Sequence, residues 1–361
     1  MDDARTAPDA GQIAREDAFA ARIGGRGIAP LWVGRRGVDL TRPRSPAVAA
    51  NWPYAEMRPD LMEAGALVAA EDAFRRVLVL ENPAFPGEMR VTNTLYAGLQ
   101  LVLPGEIAPC HRHSQTALRF VVEAGSAYTS IDGERTRLHP GDFVVTPQWS
   151  WHDHGNDGSE GTGPVIWLDV LDTPLVGFLD TVFRENYSEP IHPVTRAEGT
   201  GPALYGSNML PFGYERAAGP SPVFSYPYAA SRPALAALAE AGAPDACHGF
   251  RMEYANPATG GAATQTMGAF LQLLPAGFAG HPYRSTDGAV FCAAEGRGAV
   301  HVDGRRISWT KGDVFAVPGW HEYRLEAETE AVLFSATDRP AQQAFGLWRE
   351  MRGQDGPSRL S

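Results

Sequence analysis

Three histidines in the first half of the chain have a spacing that suits a metal site. His111 and His113 stand two residues apart, and His152 follows 39 residues later. In a β-strand, residues i and i+2 point to the same face, so the first two could bind one ion together. An exposed histidine pair has the same spacing, and the pattern alone does not separate the two cases. Imidazole suits Fe, Zn, Cu and Ni alike, so these ligands do not identify the metal.

Short β-strands are the elements that would bring the three histidines together. From about Leu95 the chain consists of short apolar runs separated by Gly, Pro and Asp-Gly turns, which is typical of β-proteins. The pairs Asp132-Gly133 and Asp303-Gly304 lie between alternating runs and predict two β-hairpins. A gap of 39 residues suits two strands that return to the same end of a barrel. Helices are predicted before Leu80, in RPALAALAEAG and in the C-terminal RPAQQAFGLWREMR.

The chain contains an internal repeat. Shifted by 171 residues, the segment that begins at Pro104 aligns without a gap with the segment that begins at Pro275. The three histidines of the first copy fall on other residue types in the second: Pro282, Arg284 and Tyr323. His281 and His321 are one position out of register, and in a strand such a shift turns a side chain to the opposite face. We therefore expect a metal in the first copy only.

Composition limits the class of partner. A chain of 361 residues with 44% hydrophobic content is long enough for two ordinary globular domains. A net charge of −11 disfavours nucleic acid, because the overall field repels phosphate. Three cysteines without a CxxC spacing favour a reducing compartment. Since no signal peptide and no apolar stretch of about 18 residues is present, we predict a cytoplasmic protein that does not bind membranes.

Two motifs around the histidines resemble those of the cupin superfamily. The first is Gly105-x5-His111-x-His113 closing at Gly125, and the second is Gly141-x5-Pro147-x4-His152-x3-Asn156. The resemblance implies an all-β bicupin, with two double-stranded β-helix (jelly-roll) barrels and a few peripheral helices. We predict an N-terminal arm or helix (1–40), a metal-binding barrel (41–188) and a metal-free barrel with a C-terminal helix (189–361). Two residues depart from the pattern: Leu118 replaces a glutamate ligand and Trp149 replaces a glycine.

Longer segments narrow the resemblance. APCHRHSQTALRFV, HPGDFVVTPQWSWHDHGN and WLDVLDTPLV, with RRVLVLENP and LYAGLQLVLPGE upstream, resemble the bicupin ring-cleaving dioxygenases of the gentisate type. The resemblance covers nearly the whole chain. It implies a homotetramer with one Fe(II) per chain in the N-terminal cupin, held by residues matching His111, His113 and His152.

The same resemblance implies a reaction. O2 would cleave the ring of an ortho-hydroxy aromatic acid between the carboxyl-bearing and hydroxyl-bearing carbons. Gentisate, which would give maleylpyruvate, is the first candidate. Salicylate, halo- or nitrosalicylates and 1-hydroxy-2-naphthoate share the same chelating pair of oxygens and stay open as alternatives.

Cationic side chains are expected to bind the substrate carboxylate. Arg119 lies inside the matched motif, and a guanidinium offers two parallel donors to two carboxylate oxygens. An arginine in a salt bridge on the outer face of the barrel is the alternative. Arg75 is a candidate for a second cationic contact, although the adjacent Arg76 could take that place.

Five further residues are candidates for the pocket. Tyr96, Gly98 and Gln100 alternate along one strand, and Gly98 would leave room for a ring. Asp169 is a candidate for sensing a second ring hydroxyl, or for a structural hydrogen bond. His154 could donate or accept a proton near the bound oxygens, or replace His152 as the third ligand.

Two other classes of protein fit the same residues. A non-oxidative bicupin could be a binding protein whose histidines are vestigial, and an isomerase could hold Zn in the same site. Three ordered ligands in one copy and none in the other favour the dioxygenase. Recovery of activity with ferrous iron, rather than with Zn, separates these classes.

Overall fold

The computed structural model describes residues 9–70, 72–73, 75–159, 163–207, 209–214 and 220–353. The chain forms two compact units, Met1–Pro43 and Arg44–Ser361. The first unit contains helices α1 (Ala10–Gly24) and α2 (Leu31–Gly34). α1 begins after Asp9, whose side chain accepts a hydrogen bond of 2.7 Å from the Gln12 N–H and so caps the helix.

The second unit is mostly β-structure. Its strands are, in chain order, β1 (Ala50–Trp52), β2 (Val77–Val79), β3 (Tyr96–Val102), β4 (Ile107–His113), β5 (Ala117–Glu123), β6 (Ala127–Ile131), β7 (Glu134–Arg137), β8 (Phe143–Thr146), β9 (His152–Asn156), β10 (Val165–Leu171), β11 (Arg184–Asn186), β12 (Ser225–Tyr226), β13 (Phe250–Glu253), β14 (Gly268–Leu274), β15 (Tyr283–Ser285), β16 (Ala289–Glu295), β17 (Arg297–Val302), β18 (Arg305–Thr310), β19 (Val314–Val317), β20 (Tyr323–Ala327), β21 (Ala331–Thr337) and β22 (Glu350–Arg352). Its helices are α3 (Tyr54–Leu67), α4 (Thr173–Phe178), α5 (Thr200–Tyr205), α6 (Tyr228–Ala241) and α7 (Arg339–Ala344).

Within the described residues, the strands form two antiparallel barrels, each made of a six-stranded and a five-stranded sheet. The first barrel has the strand orders β12-β8-β5-β10-β3-β2 and β11-β4-β9-β6-β7. The second has β1-β19-β16-β21-β14-β13 and β18-β17-β20-β15-β22. This is the all-β, two-barrel fold predicted from the motifs.

The two six-stranded sheets pack face to face through one large apolar cluster. Leu99, Phe120 and Leu168 of the first barrel and Leu271 and Phe334 of the second all belong to it. The rings of Phe120 and Phe334 stack with their centroids 4.5 Å apart. Residues on the opposite face of β3, β5 and β10 line the inside of the first barrel, because side chains alternate along a strand.

The leading segment of each half crosses to the barrel of the other half. β1 pairs with β19 of the second barrel, and β12 pairs with β8 of the first. The helices that follow begin alike: the N–H of Tyr54 donates to Asp313 at 2.7 Å and that of Tyr228 donates to Asp142 at 2.8 Å. Strands therefore cross the boundary between residues 188 and 189, and the division into 1–40, 41–188 and 189–361 stays a prediction.

The two predicted hairpin turns are confirmed. Both central residues have positive φ in each turn, with 45° and 86° at Asp132-Gly133 and 48° and 81° at Asp303-Gly304. Asp-Gly favours this geometry because glycine has no Cβ and aspartate tolerates the left-handed region.

The predicted C-terminal helix is wrong in its second half. α7 ends at Ala344, Gly346 follows with a φ of 70°, and β22 then pairs with β15. Pairing at the sheet edge satisfies backbone groups that a longer helix would have satisfied internally. No helix among the described residues is long and apolar enough to cross a membrane. The cytoplasmic location stays a prediction.

The ungapped alignment of the repeat is wrong by one residue in its first strands. His111 pairs with His152 in the first barrel, and Tyr283 pairs with Tyr323 in the second. The N–H of Trp149 donates to His113 O at 2.7 Å, and that of Trp320 donates to Ser285 O at 2.6 Å. The three histidines therefore correspond to Tyr283, Ser285 and Tyr323, not to Pro282, Arg284 and Tyr323. Matching turns set the ungapped alignment, whereas backbone pairing sets the true register.

Candidate metal centre

The structure brings the three predicted ligands together. One ligand atom from each of His111, His113 and His152 lies within 4.8 Å of the others. The first two extend from β4, and His152 begins β9 directly opposite His111. The ring centroids are 4.4 to 5.2 Å apart. Among the described residues, this cluster contains no carboxylate.

Backbone carbonyls orient the three rings. Each Nδ1 lies near the carbonyl oxygen of a residue two positions away: Pro109 at 3.1 Å, Gln115 at 2.8 Å and Ser150 at 2.9 Å. A carbonyl only accepts, so each Nδ1 that bonds to one carries the proton and leaves Nε2 free to bind a metal. Nε2 of His152 is buried without a hydrogen-bond partner among the described residues. This arrangement fits a divalent cation.

Arg75 competes for one of these nitrogens. Its Nη2 lies 2.6 Å from Nδ1 of His111 and 3.1 Å from Pro109 O. If His111 binds a metal through Nε2, its Nδ1 must donate to Pro109, and two donors then face each other. Metal binding would therefore require Arg75 to move off this nitrogen.

Burial keeps the three imidazoles neutral. Desolvation lowers the pKa of His111 to about 2 and that of His113 to about 4, and the pKa of His152 lies well below its usual range. The positive charges of Arg75 and Arg119 add to the effect of burial on the first two. Neutral imidazole is the form that binds metals.

Both departures from the cupin pattern have a structural explanation. Leu118 is buried in the apolar cluster between the barrels and does not line the first barrel. Trp149 adopts a φ of 61°, in the left-handed region that favours glycine, and Trp320 at the equivalent turn has 66°. The turn at Trp149 supports the site, because its N–H bonds to the carbonyl of His113.

Arg119 lies inside the first barrel, not on its outer face. Its side chain is 4% exposed, and its Nε lies 2.9 Å from Oδ1 of Asp169, which is directly opposite on β10. The N–H does not point at this oxygen, since neither atom has a hydrogen-bond partner, so the contact is an ion pair. Nη1 donates to the hydroxyl of Thr146. Nη2 makes no hydrogen bond within the described part of the chain.

The structure separates Arg75 from Arg76. Arg76 turns away from the histidines and donates to Glu106 at 2.8 Å and to Val68 O at 2.8 Å. Arg75 contacts His111, and burial lowers its pKa to about 9, which leaves it cationic at neutral pH. Of the two adjacent arginines, Arg75 is therefore the one that lies at the metal cluster.

Tyr96, Gly98 and Gln100 lie on β3 on the face that lines the barrel, and Gly98 pairs with Asp169. The predicted room beside Gly98 is already filled. An ideal Cβ there would lie 2.4 Å from Val77 Cγ1 and 3.0 Å from the Tyr96 hydroxyl. Because glycine has no side chain, Val77 and Tyr96 pack directly over its backbone. The space next to Gly98 is therefore not available to the ring of a substrate. Gln100 is 2% exposed.

His154 lies next to the metal cluster but outside it. Its Nδ1 is 2.8 Å from the hydroxyl of Thr129, and its ring centroid is 5.4 Å from that of His152. Its Nε2 is buried without a hydrogen-bond partner among the described residues. Burial and the charges of Arg119 and Arg75 hold the pKa of His154 well below its usual range.

Sequence reasoning missed three residues that orient the predicted ones. Thr146 accepts from Arg119, Thr129 bonds to His154, and Nε1 of Trp167 donates to Asp169 at 3.3 Å. Trp167 could have been found, because it stands two residues before Asp169 on the same face of β10. The two threonines come from other strands, and no local pattern points to them.

Comparisons with known proteins agree with this geometry. The cupin domain family matches residues 98–171. The chain is 49% identical over 334 residues to gentisate 1,2-dioxygenase 1 of Aquipseudomonas alcaligenes, covering 92% of this chain and 95% of that protein. It is 34% identical to 1-hydroxy-2-naphthoate 1,2-dioxygenase of Nocardioides sp., covering 95% and 89%. The crystal structure of salicylate 1,2-dioxygenase from Pseudoaminobacter salicylatoxidans, an adduct with gentisate, superposes with a TM-score of 0.88 at 30% identity, covering 98% and 97%.

Proposed function

The chain belongs to the family of gentisate 1,2-dioxygenases, which are ring-cleaving dioxygenases, and we propose that it cleaves gentisate with O2 to give maleylpyruvate. The bond broken would join the carboxyl-bearing and hydroxyl-bearing carbons. The observation that carries this proposal is the cluster of three neutral histidines, which contains no carboxylate among the described residues, beside Arg75 and the buried Arg119. Such a site retains the positive charge that an anionic substrate needs.

The resident cofactor of this proposal is one Fe(II) per chain, held by Nε2 of His111, His113 and His152. When bound, the iron supplies coordination positions for substrate and O2 and the redox chemistry that joins them. Because all three imidazoles are neutral, the full charge of a divalent ion would be available to a hydroxy acid that chelates through two oxygens.

The surrounding residues would bind and orient the acid. Arg119 has a free Nη2, so it can donate to the substrate carboxylate while Asp169 and Thr146 hold the rest of the guanidinium. Arg75 would contribute the second positive charge. His154 presents an unpartnered Nε2 and would hydrogen-bond a substrate oxygen, while Thr129 fixes its ring.

Polar side chains inside the first barrel would discriminate among related acids. Tyr96, Gln100 and Asp169 carry polar groups on the face of the sheet that lines the barrel. A hydrogen bond to the second hydroxyl of gentisate would separate it from salicylate, because buried polar groups left without a partner disfavour the wrong substrate. Salicylate, halo- or nitrosalicylates and 1-hydroxy-2-naphthoate are the alternative substrates of this proposal. The proposal also includes a homotetramer in the cytoplasm.

Oxygen uptake by iron-loaded enzyme across this panel of acids tests the proposal. We expect the highest kcat/KM with gentisate, loss of activity with an Fe(II) chelator and recovery with ferrous iron under reductant. A higher kcat/KM with another acid would reassign the substrate. Recovery with Zn alone would contradict the oxygenase function and favour an isomerase.

A further inference from the structure

Charged side chains line two pockets of the second barrel near the end that corresponds to the metal centre. Tyr283, Ser285 and Tyr323 replace the three histidines there. A cavity of about 400 Å³ opens at this barrel, and seven of its twelve lining residues are charged or ionisable: Asp245, His248, Arg251, Glu253, Arg339, Glu350 and Arg352. Arg251 and Arg339 also line a smaller pocket against Ser285 and Tyr323.

Two arginines of this cavity lie against the same aromatic ring. The guanidinium carbon of Arg251 is 3.9 Å from the centroid of the Phe270 ring, and that of Arg339 is 5.4 Å from the same centroid. Arg339 has a carboxylate partner, since its Nε lies 3.4 Å from Asp287. Asp287 is also shared, because it accepts from Trp348 Nε1 at 2.8 Å.

Arg251 has no such partner. Within the described part of the chain it forms no salt bridge, and its Nε is buried without a hydrogen-bond partner. Nδ1 of His248, in the same cavity, is also buried and unpartnered. Removing a charge from water without a directly paired counter-ion is costly, so a guanidinium that faces a cavity without an ion-pair partner is suited to bind an anion there.

No acidic side chain of the cavity forms an ion pair with Arg251 within the described residues. Asp245 pairs with Arg352 at 2.7 Å, and Glu350 lies 3.7 Å from the same arginine. Glu253 is two residues from Arg251 on β13, yet it forms no ion pair with either Arg251 or Arg339 within the described residues. Glu253 and Asp287 attract Arg251 at longer range without pairing with it, so its guanidinium remains able to bind an added anion.

We propose that the second barrel binds a small oxyanion, a carboxylate or a phosphate, between Arg251 and Arg339. The planar fork of a guanidinium matches two oxygens of such a group, and Phe270 holds both guanidinium groups against its ring. The first barrel would present a metal cation to an organic acid, and the second presents two arginines at the corresponding end.

Isothermal titration calorimetry on the iron-loaded enzyme tests this site, with sodium phosphate and sodium acetate as separate probes in chloride buffer of constant ionic strength. The variants are Arg251→Gln and, as a matched control, Arg297→Gln, whose side chain is 61% exposed and pairs with Glu328. Any binding in the first barrel is common to all forms and cancels in the comparison. We expect wild type and the control to bind at least about tenfold more tightly than Arg251→Gln.

The outcomes separate the sources of the ligand. Binding of acetate alone identifies a carboxylate, and binding of phosphate alone identifies a phosphate. Ring-cleaving activity should be unchanged in both variants, because neither arginine belongs to the first barrel. If Arg251→Gln does not fold, Arg251→Lys retains the charge and should bind more weakly than wild type.

Three results would overturn the proposal. Wild type could fail to bind either probe, or Arg251→Gln and Arg251→Lys could bind as tightly as wild type. Binding that emerges only in Glu253→Gln would show that Glu253 neutralises the cavity from within.

Discussion

The two barrels have the same backbone architecture and differ in the side chains of their interiors. His111 and His152 of the first barrel correspond to Tyr283 and Tyr323, which pack into an apolar cluster of the second. The ion pair between Arg119 and Asp169 corresponds to Phe291 opposite Ser335. Turns and strand pairing recur because the fold needs them in both copies. Interior side chains recur only where both copies need them, so their differences mark the chemistry.

The strongest test of this difference removes a histidine from each half. His113→Ala should lose iron and reduce kcat more than about 100-fold, because loss of a ligand exceeds the effect usual for residues that merely orient ligands. His281→Ala, in the second half, should retain both. Iron content and oxygen uptake are the measurements. An equal loss in the two variants would contradict the assignment of the metal centre to the first barrel alone.

Replacing Arg119 should have the next largest effect. Arg119→Met should lower kcat/KM for gentisate by about 10- to 100-fold, since a charge-assisted hydrogen bond contributes about 1.5–3 kcal/mol. It should also destabilise the fold, because Asp169 would remain buried without its cation. Steady-state kinetics and chemical denaturation measure the two effects.

The equivalent substitution in the second barrel serves as the control. Phe291→Met should destabilise the fold while leaving kcat/KM within a fewfold of wild type, since Phe291 lies in an apolar cluster. If Arg119→Met left kcat/KM unchanged, Arg119 would be a structural ion pair only.

Two equivalent aspartates should make similar contributions to the pH dependence of stability. Burial raises the pKa of Asp172 and of Asp338 to about 6, and each accepts from a backbone N–H at the start of the neighbouring strand, Thr116 at 2.9 Å and Gly288 at 2.8 Å. Because these pKa values are higher in the folded than in the unfolded chain, the contribution of the two aspartates to stability falls as pH rises from about 4 to about 6.

Each aspartate should contribute about 2 to 3 kcal/mol to this fall in the free energy of unfolding. The free energy of unfolding, measured by urea denaturation, should change less steeply between pH 4 and 6 in Asp172→Asn and in Asp338→Asn than in wild type. Each variant lacks one of the two carboxyl groups that titrate in this range. An unchanged slope in either variant would show that its carboxyl titrates normally.

The smallest effects should come from the exchanged segments, which are β1 with α3 and β12 with α6, because each pairs with the barrel of the other half. The Tyr54 hydroxyl donates to Glu123 at 2.6 Å, and the Tyr228 hydroxyl donates to Glu295 at 2.6 Å. Tyr54→Phe and Tyr228→Phe should each lower the free energy of unfolding by about 1 kcal/mol without changing kcat. Clearly unequal losses would mean that the two exchanged segments do not stabilise the barrels alike.

The sequence carries a second repeated segment that reflects the crossing of strands between the barrels. The segments PYAEMRP and PYAASRP begin at Pro53 and Pro227, 174 residues apart, and each starts one of the two matching helices. An ungapped alignment with a shift of 171 residues does not superpose them. Loops of different length in the two halves change the offset, so one fixed shift finds only the segment between two such changes.

Two details of the site required the folded chain. Arg75 and Arg76 are adjacent, and only the fold shows that Arg76 is turned towards Glu106 while Arg75 contacts His111. Gly98 suggested an opening in the pocket, but Val77 from β2 and the Tyr96 hydroxyl fill it. In both cases a deciding partner, Glu106 or Val77, lies on another segment, at a distance along the chain that a local pattern does not describe.

The sequence by itself determined the hairpins, the all-β fold and the histidines of the metal cluster. Each depends on short-range rules: Asp-Gly turns, alternation along a strand, and a two-residue spacing on one face. The tertiary structure decided the register of the repeat, the exchange of β1 and β12 between barrels, and the neighbours of Arg119 and Arg251. These depend on backbone hydrogen bonds and contacts between residues far apart in the chain, where a shift of one residue reverses the face that a side chain presents.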